Sequence, residues 1–387
     1  MAVAGHGIHH DRRHPDRDRP LADVDERTPV RVLAPAPGYD ARDLVRRILN
    51  GAQRRIACVA PWPAATIGPD LDSSLSDDRV RVLRAGHVCS TMEGHDAVAA
   101  LNRLHLRKMG LTGAPVEYDD VLVVLPEDVQ PLVVVFQLQT DSRLVLTYRF
   151  ETLVGVVDAA QGHRAADPEP PYLETIGRAD GVVVTNADKP APGDLAALRR
   201  AVAAINPFVP VATVGADGEN VSNLDAILFP PPAAWAEAAR FEDVVAMSPP
   251  SGGPKARRVE CFANNPIGDA RSNEPSALGP VRAVHLRMAG HADIFKVSSV
   301  VARIAERAGE HLYRLRCTAA VPHADNPVEF RFVDGRFIHP VWTAPGTATE
   351  TVLTVVGRNF EVRDVMEDVT ACWWDADAVA RGEYNPF

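Results

Sequence analysis

Between about residues 29 and 229, short runs rich in β-branched residues alternate with helical stretches, and no other feature narrows the fold so far. Val30–Ala34, Arg55–Ala60, Val80–Leu83, Val121–Leu125, Val154–Val157, Val182–Val184 and Val209–Val214 are predicted strands. Between them, Ala41–Leu49, Asp96–Leu106 and Asp194–Ile205 are predicted helices. Leu44, Val45, Ile48 and Leu49 share one face of the first helix; Val98, Leu101 and Leu104 share one face of the second. Strands alternating with helices imply a mostly parallel sheet with helices on both faces. Ligands of such sheets bind beyond the carboxyl ends of the strands.

The pattern changes after residue 229. Pro230, Pro231 and Pro232, then Pro249, Pro250, Gly252, Gly253 and Pro254, make 230–280 a predicted Pro/Gly-rich linker. A second, smaller α/β domain is predicted over 281–375. It has strands at Ala283–Met288, Leu312–Cys317, Val328–Val333, Arg336–Val341 and Thr351–Val356, with helices at Phe295–Ala308 and Val362–Cys372. Its sheet is expected to be mainly antiparallel. Residues 1–28 form a polar tail with His6, His9, His10 and His14, expected to be disordered. The tail is either simply solvated or a loose metal buffer. Residues 376–387 form a second tail.

A chain of 387 residues suits two domains. Its net charge of −10 argues against general nucleic-acid binding, which needs a basic face. Five scattered cysteines make no disulfide framework, and the odd count fits a reducing compartment. Apolar runs such as 131–136 are too short to span a bilayer. The N-terminus has no apolar signal core. A cytoplasmic protein is expected.

The second domain carries "LYRLRCTAAV", "FRFVDGRF", Trp342 after "HPV", and "TVLTVVGRNFEVRDVMEDVTAC". Together these resemble the C-terminal domain of the CobW family of P-loop GTPases and metallochaperones. With that register, "VRVLAPAPGYDARDLVRRIL" falls where the family has a strand, the loop G-F-L-G-x-G-K-T-T and a helix. "RAGHVCST" falls on N-G-C-x-C-C-T, "DDVLVVLPEDVQP" on the strand leading into E-x-x-G-x-x-x-P, "VGVVDA" on V-x-V-V-D-A, and "RADGVVVTNAD" on the base-recognition motif ending N-K-x-D. The resemblance implies a P-loop NTPase-like first domain followed by a CobW-type C-terminal domain.

The chemistry of these motifs is largely missing. A P-loop wraps backbone N–H groups around phosphates, places a Lys on them and offers a hydroxyl to magnesium. Here Ala41 stands for the Lys and Arg42 for the hydroxyl residue. Pro35 and Pro37 lack N–H groups. Asp40 replaces a glycine and is expected to cap the following helix. GTP binding is therefore not expected, nor hydrolysis. Val124, Leu125, Pro126 and Glu127 replace the switch motif, and Trp62–Thr66 lacks the family's acidic residue. Thr185, Asn186 and Asp188 stand at N-K-x-D and are the candidate nucleotide-contacting residues. They also suit an ordinary polar loop.

His87 and Cys89 match the family's metal motif and alternate along a strand end, so they are candidate zinc ligands. The alternative is a small buried Cys and a lone His. His95, His285, His291, His311, His323 and His339 are the further histidines that could complete a site. Asp158 and Asp180 are expected to be structural.

The resemblance implies a partner-binding pseudo-GTPase linked to zinc homeostasis or to ribosome remodelling under zinc limitation. Its partner would be a metalloprotein client or a ribosome-associated factor. The other implied role is a zinc or cobalt metallochaperone with residual nucleotide binding. An enzyme would require a cleft gathering Asp40, Arg42, Glu127 and His87.

Overall fold

The computed structural model describes residues 27–63, 66–68, 80–83, 86–92, 96–126, 129–160, 175–189, 192–215, 224–228, 244–247, 259–264, 281–324, 326–333, 336–342 and 350–374. Both predicted tails lie outside the described residues almost entirely, as do His95 and Glu127.

The first domain is an eight-stranded sheet built from β1 (Thr28–Pro35), β2 (Ile56–Ala60), β3 (Val80–Val82), β4 (Val88–Thr91), β5 (Asp120–Val124), β6 (Tyr148–Asp158), β7 (Gly181–Thr185) and β8 (Val211–Thr213). The order is β3-β4-β2-β5-β1-β6-β7-β8. Every pairing is parallel except that of edge strand β3 with β4. Central strands buried on both faces need continuous apolar runs, and β2, β5 and β7 are buried at every position.

Helix α1 (Arg42–Gly51) buries Leu44, Val45, Ile48 and Leu49 on one face of this sheet, against Leu33, Val154 and Val156. On the other face, α2 (Ala97–Lys108) and α3 (Pro131–Thr140) supply Leu101, Leu104, Val134, Val135 and Leu138. Each such side chain contributes about 1.5–3 kcal/mol by leaving water. The short α4 (Leu144–Thr147) leads into β6; α5 (Pro192–Ile205) and α6 (Leu224–Leu228) complete the domain.

The second domain is a seven-stranded antiparallel sheet. Its strands are β9 (Val244–Met247), β10 (Val259–Asn264), β11 (Arg282–Ala289), β12 (Leu312–Ala319), β13 (Val328–Val333), β14 (Arg336–Trp342) and β15 (Glu350–Gly357), in the order β14-β13-β12-β15-β11-β10-β9. Helices α7 (Ile294–Ala308) and α8 (Val362–Thr370) cover one face with Val297, Val301, Ile304, Val365 and Met366. Asp293 caps α7 by accepting the Phe295 and Lys296 N–H groups.

Two local expectations change, and one helix appears where no element was expected. The stretch 230–280 contains β9 and β10, which pair with each other and with β11. Their runs of four and six residues are too short to stand out between prolines. Residues 131–140 are helical, although the run is mostly apolar and its polar residues, Gln137, Gln139 and Thr140, mark no single face; Pro131 opens it at the first turn. Strand β6 begins at Tyr148, six residues before the expected strand, because Arg149 and Glu151 interrupt its apolar run.

The face of the second sheet away from α7 and α8 meets the first domain. Phe208 packs with Ala283, Tyr313 and Val356. Gly177 lies so close to Tyr313 that a Cβ there would sit 2.7 Å from its Cδ2. Beside this apolar contact lies a buried charged layer. Asp180 pairs with Arg314 and, at 3.6 Å, with Arg316. Glu329 pairs with Arg316 and, at 2.6 Å, with Arg331. Arg331 donates to the Glu151 carbonyl at 2.8 Å and lies 3.9 Å from the Glu151 carboxylate. Arg314 donates to the Arg178 carbonyl at 3.0 Å. Arg316 and Arg331 face each other across β12 and β13. Like charges in that register repel, and Glu329 between them removes the conflict.

Candidate functional site

A cleft of about 400 Å³ opens at the carboxyl ends of β1, β6, β7 and β8. It is lined from one side by Gly38, Tyr39, Asp40, Asp43 and Arg47, and from the other by Asp158, Thr185, Asn186, Lys189 and Gly215. This is the end of a parallel sheet where ligands are expected.

The loop between β1 and α1 forms one wall, and part of its backbone is already hydrogen-bonded. Ala36 donates its N–H to the Val156 carbonyl at 2.9 Å. Tyr39 donates to the Ala36 carbonyl at 3.1 Å, closing a turn with Pro37 and Gly38 at its centre. Gly38 has φ +76°, which makes this a Pro-Gly turn of the type II kind. Pro35 and Pro37 have no N–H to give. The N-cap position is Ala41, which has no side-chain cap of its own, and Asp40 one residue earlier takes the expected capping role by accepting the Arg42 N–H, the first of α1, at 3.1 Å. Its carboxylate also takes the Arg42 guanidinium, at 2.9 Å from Nε and through Nη2. These hydrogen bonds hold the Asp40 carboxyl below its ordinary range. A negative group therefore already sits at the start of α1, where backbone N–H groups and the helix dipole attract anions.

On this wall a carboxylate occupies the helix start, Ala41 offers no cation and Arg42 no metal-ligating hydroxyl.

The opposite wall keeps a polar loop after β7. Thr185 is buried and donates its hydroxyl to the Val157 carbonyl at 3.1 Å. Asn186 is left-handed, with φ +52°, and donates from Nδ2 to Asp158 Oδ1 at 2.7 Å. Asp158 also accepts the Ala160 N–H at 3.0 Å. Tyr39 reaches across to Thr185; burial raises its hydroxyl pKa, which Thr185 opposes and Asp158 reinforces. Arg47 donates to the Gly215 carbonyl at 2.7 Å. Of the three candidate nucleotide-contacting residues, Thr185 and Asn186 line the cleft. Asp188 is exposed and is not among the lining residues.

Tyr39, Asp158 and Lys189 belong to this cleft and were not singled out for it from sequence. Asp158 alone had a signal, since it ends the apolar run of β6. The enzyme arrangement is not assembled: Asp40 lines the cleft, while Arg42 and His87 are absent from its lining.

His87 and Cys89 lie elsewhere. His87 precedes β4, at the amino end of the parallel strands beside Ile56. Its Nδ1 accepts the Ile56 N–H at 3.1 Å, which uses one of the two nitrogens a metal could take. Burial lowers its pKa, partly offset by the Leu49 carbonyl. Cys89 packs in the apolar cluster under α1 and is the register partner of Cys58 on β2. A zinc site needs three or four ligands. Among the described residues, no group of three or more His, Cys, Asp or Glu side chains could hold a metal ion. His285 is buried between the domains, against Phe208 and Thr354.

The fold is similar to that of Zn(II)-bound YjiA GTPase from E. coli, at TM-score 0.55 and 16% identity, over 90% of this chain and 99% of that one. It is equally similar to a Zn(II)-bound triple mutant of YjiA GTPase, at TM-score 0.57 and 17% identity over the same shares. Identities this low show a shared fold. No protein-family model matches the sequence, and no curated protein matches it.

Proposed function

We propose that this chain is a CobW-like pseudo-GTPase that acts by binding and recruiting a protein partner. One observation carries the reading. The loop that should cradle phosphates is a closed Pro-Gly turn followed by a carboxylate seated on the first N–H of α1. Transfer or hydrolysis of a phosphoryl group depends on positioning and on neutralising its charge, and this loop supplies neither. The two-domain frame persists around it, with a buried charged layer holding the domains together. A frame kept without its engine suits a binding role.

The setting we favour is zinc homeostasis, or ribosome remodelling under zinc limitation. Support comes from the CobW resemblance and from a fold shared with a GTPase solved with bound zinc. A phosphate-release assay with GTP tests the reading. Turnover should stay at the buffer level. Turnover above it that is lost in Asp188→Ala would refute the pseudo-GTPase.

The second reading is a zinc or cobalt metallochaperone using His87 and Cys89. Both face α1, which favours a common location. The occupied Nδ1 and the lack of a third described ligand weigh against it. Equilibrium dialysis with zinc and cobalt decides: tight binding that falls in Cys89→Ala supports it, and binding unchanged by that substitution removes it.

A further inference from the structure

Parallel pairing sets Cys58 of β2 directly opposite Cys89 of β4. Their spacing in sequence does not announce this, because β3 lies between them in the chain. Both side chains fall in the apolar cluster between the sheet and α1, at 0% and 2% exposure, so they stand on the same face. Neighbouring strands run about 4.7–4.9 Å apart. A disulfide spans about 4.4–6.8 Å between Cα atoms, so the backbone spacing already suits one.

The other three cysteines are placed differently. Cys261 and Cys317 face no cysteine in register, and the Cys372 thiol donates to the Asp368 carbonyl at 3.3 Å. Burial pushes Cys261 and Cys372 up to about 12 and raises Cys317 as well, which keeps all three protonated and unreactive. Cys58 and Cys89 are equally sheltered while the sheet is closed, but they lie near a weak edge. Strand β3 ends the sheet and pairs with β4 through Val80, Arg81 and Val82, with Arg81 opposite Cys89. Short edge pairings open at lower free energy than the middle of a sheet, and opening there brings small oxidants to Cys89. Two thiols do not make a zinc site, which takes three or four ligands. Among the described residues no group of three or more His, Cys, Asp or Glu completes one.

We propose that Cys58 and Cys89 are a redox pair that a peroxide closes into a disulfide, tying β2 to β4. Cys89 reacts first. Its thiolate attacks the peroxide, the O–O bond breaks, and a sulfenic acid and one water result. The Cys58 thiolate then attacks that sulfur, the S–O bond breaks, and hydroxide leaves to become a second water. Two thiols are oxidised and one peroxide is reduced. In a reducing compartment the pair rests as thiols, and exchange with a small thiol reopens it. The closed link joins the strand next to the edge to the interior of the sheet, and so resists the opening that admitted the oxidant.

The test exposes the full native chain to hydrogen peroxide, alkylates the remaining thiols without reductant, and maps the peptides by mass spectrometry. Free thiols should fall from five to three, the five less the two joined, with a link between Cys58 and Cys89 that dithiothreitol removes. The urea midpoint of the linked chain should rise, return on reduction, and stay unmoved by peroxide in Cys58→Ala. Five thiols still free, links among Cys261, Cys317 and Cys372, links between chains, or sulfinic acid at Cys89 beside a free Cys58 would each overturn the proposal. So would a link formed only in urea, or a linked chain whose midpoint is unchanged or lower. Mapping uses the parent chain alone, so it does not depend on how the variant folds. Neither readout involves a nucleotide, so the pseudo-GTPase reading stands or falls separately.

Discussion

Gly38 shows how a single residue fixes the character of the cleft. It holds φ +76° at the centre of the turn that closes the β1–α1 loop. A side chain in that left-handed conformation costs about 1–2 kcal/mol, so Gly38→Ala should lower stability by that amount in urea unfolding and create no nucleotide binding. The substitutions at Ala41 and Arg42 were legible in the sequence because lost chemistry is a matter of residue type. The use of Asp40 was legible in part. Sequence suggested a helix cap, and the carboxylate does take the first N–H of α1; that it also holds the guanidinium two residues on is a choice only side-chain geometry reveals. His285 is a second residue with a measurable signature. Burial, then Arg287, lower its pKa from 6.5 to about 4, against the opposing pull of Glu350. The unfolded chain therefore binds the proton more readily than the folded one. Stability should be full above about pH 6.5 and fall as pH drops toward 4. In His285→Leu that part of the pH profile of the urea midpoint should flatten; an unchanged slope there would rule His285 out as its source.

Among the elements, the strands legible in advance were those with continuous or alternating apolar runs, such as β1, β5 and β12. Helix α3 and strands β9 and β10 were not. The first has no polar face to set a period, and the other two sit between prolines. The contact between β12, β13 and the first domain left a trace that was readable in principle. "LYRLRC" and "VEFRFV" place charges at alternate positions in otherwise apolar strands, so one face of each carries charge where solvent or a counter-charge must meet it. The structure supplies the counter-charges, Asp180 and Glu151. Removing one member strands the others in a buried layer, which typically costs about 3–5 kcal/mol. Asp180→Ala should lose that much in urea unfolding, far more than an exposed Asp→Ala change. Burial alone would raise the Glu329 carboxyl, but Arg316 and Arg331 outweigh it and hold it at about 2. Its contribution should be complete above about pH 4.5 and vanish as pH falls toward 2. Acid unfolding followed by intrinsic fluorescence should show a component in that window that is missing in Glu329→Gln.

At the scale of the whole molecule, an apolar contact and a neutralised charged layer bind two sheets of different topology into one unit. Heating the intact chain should give one calorimetric transition, and Asp180→Ala should separate it into two; two transitions in the parent would show that the layer does not couple the domains. The cleft lies at the far ends of β6 and β7 from this layer: Glu151 and Asp180 sit at one end, Asp158 and Thr185 at the other. The cleft and the charged layer are therefore separate, and the central claim is that the cleft takes no guanine nucleotide. Titration calorimetry of the full chain with GTP and with GDP, in the presence and absence of zinc, tests this most directly. No saturable heat is predicted for either nucleotide under either condition. Saturable one-to-one binding of GTP or GDP at micromolar concentration would contradict the account.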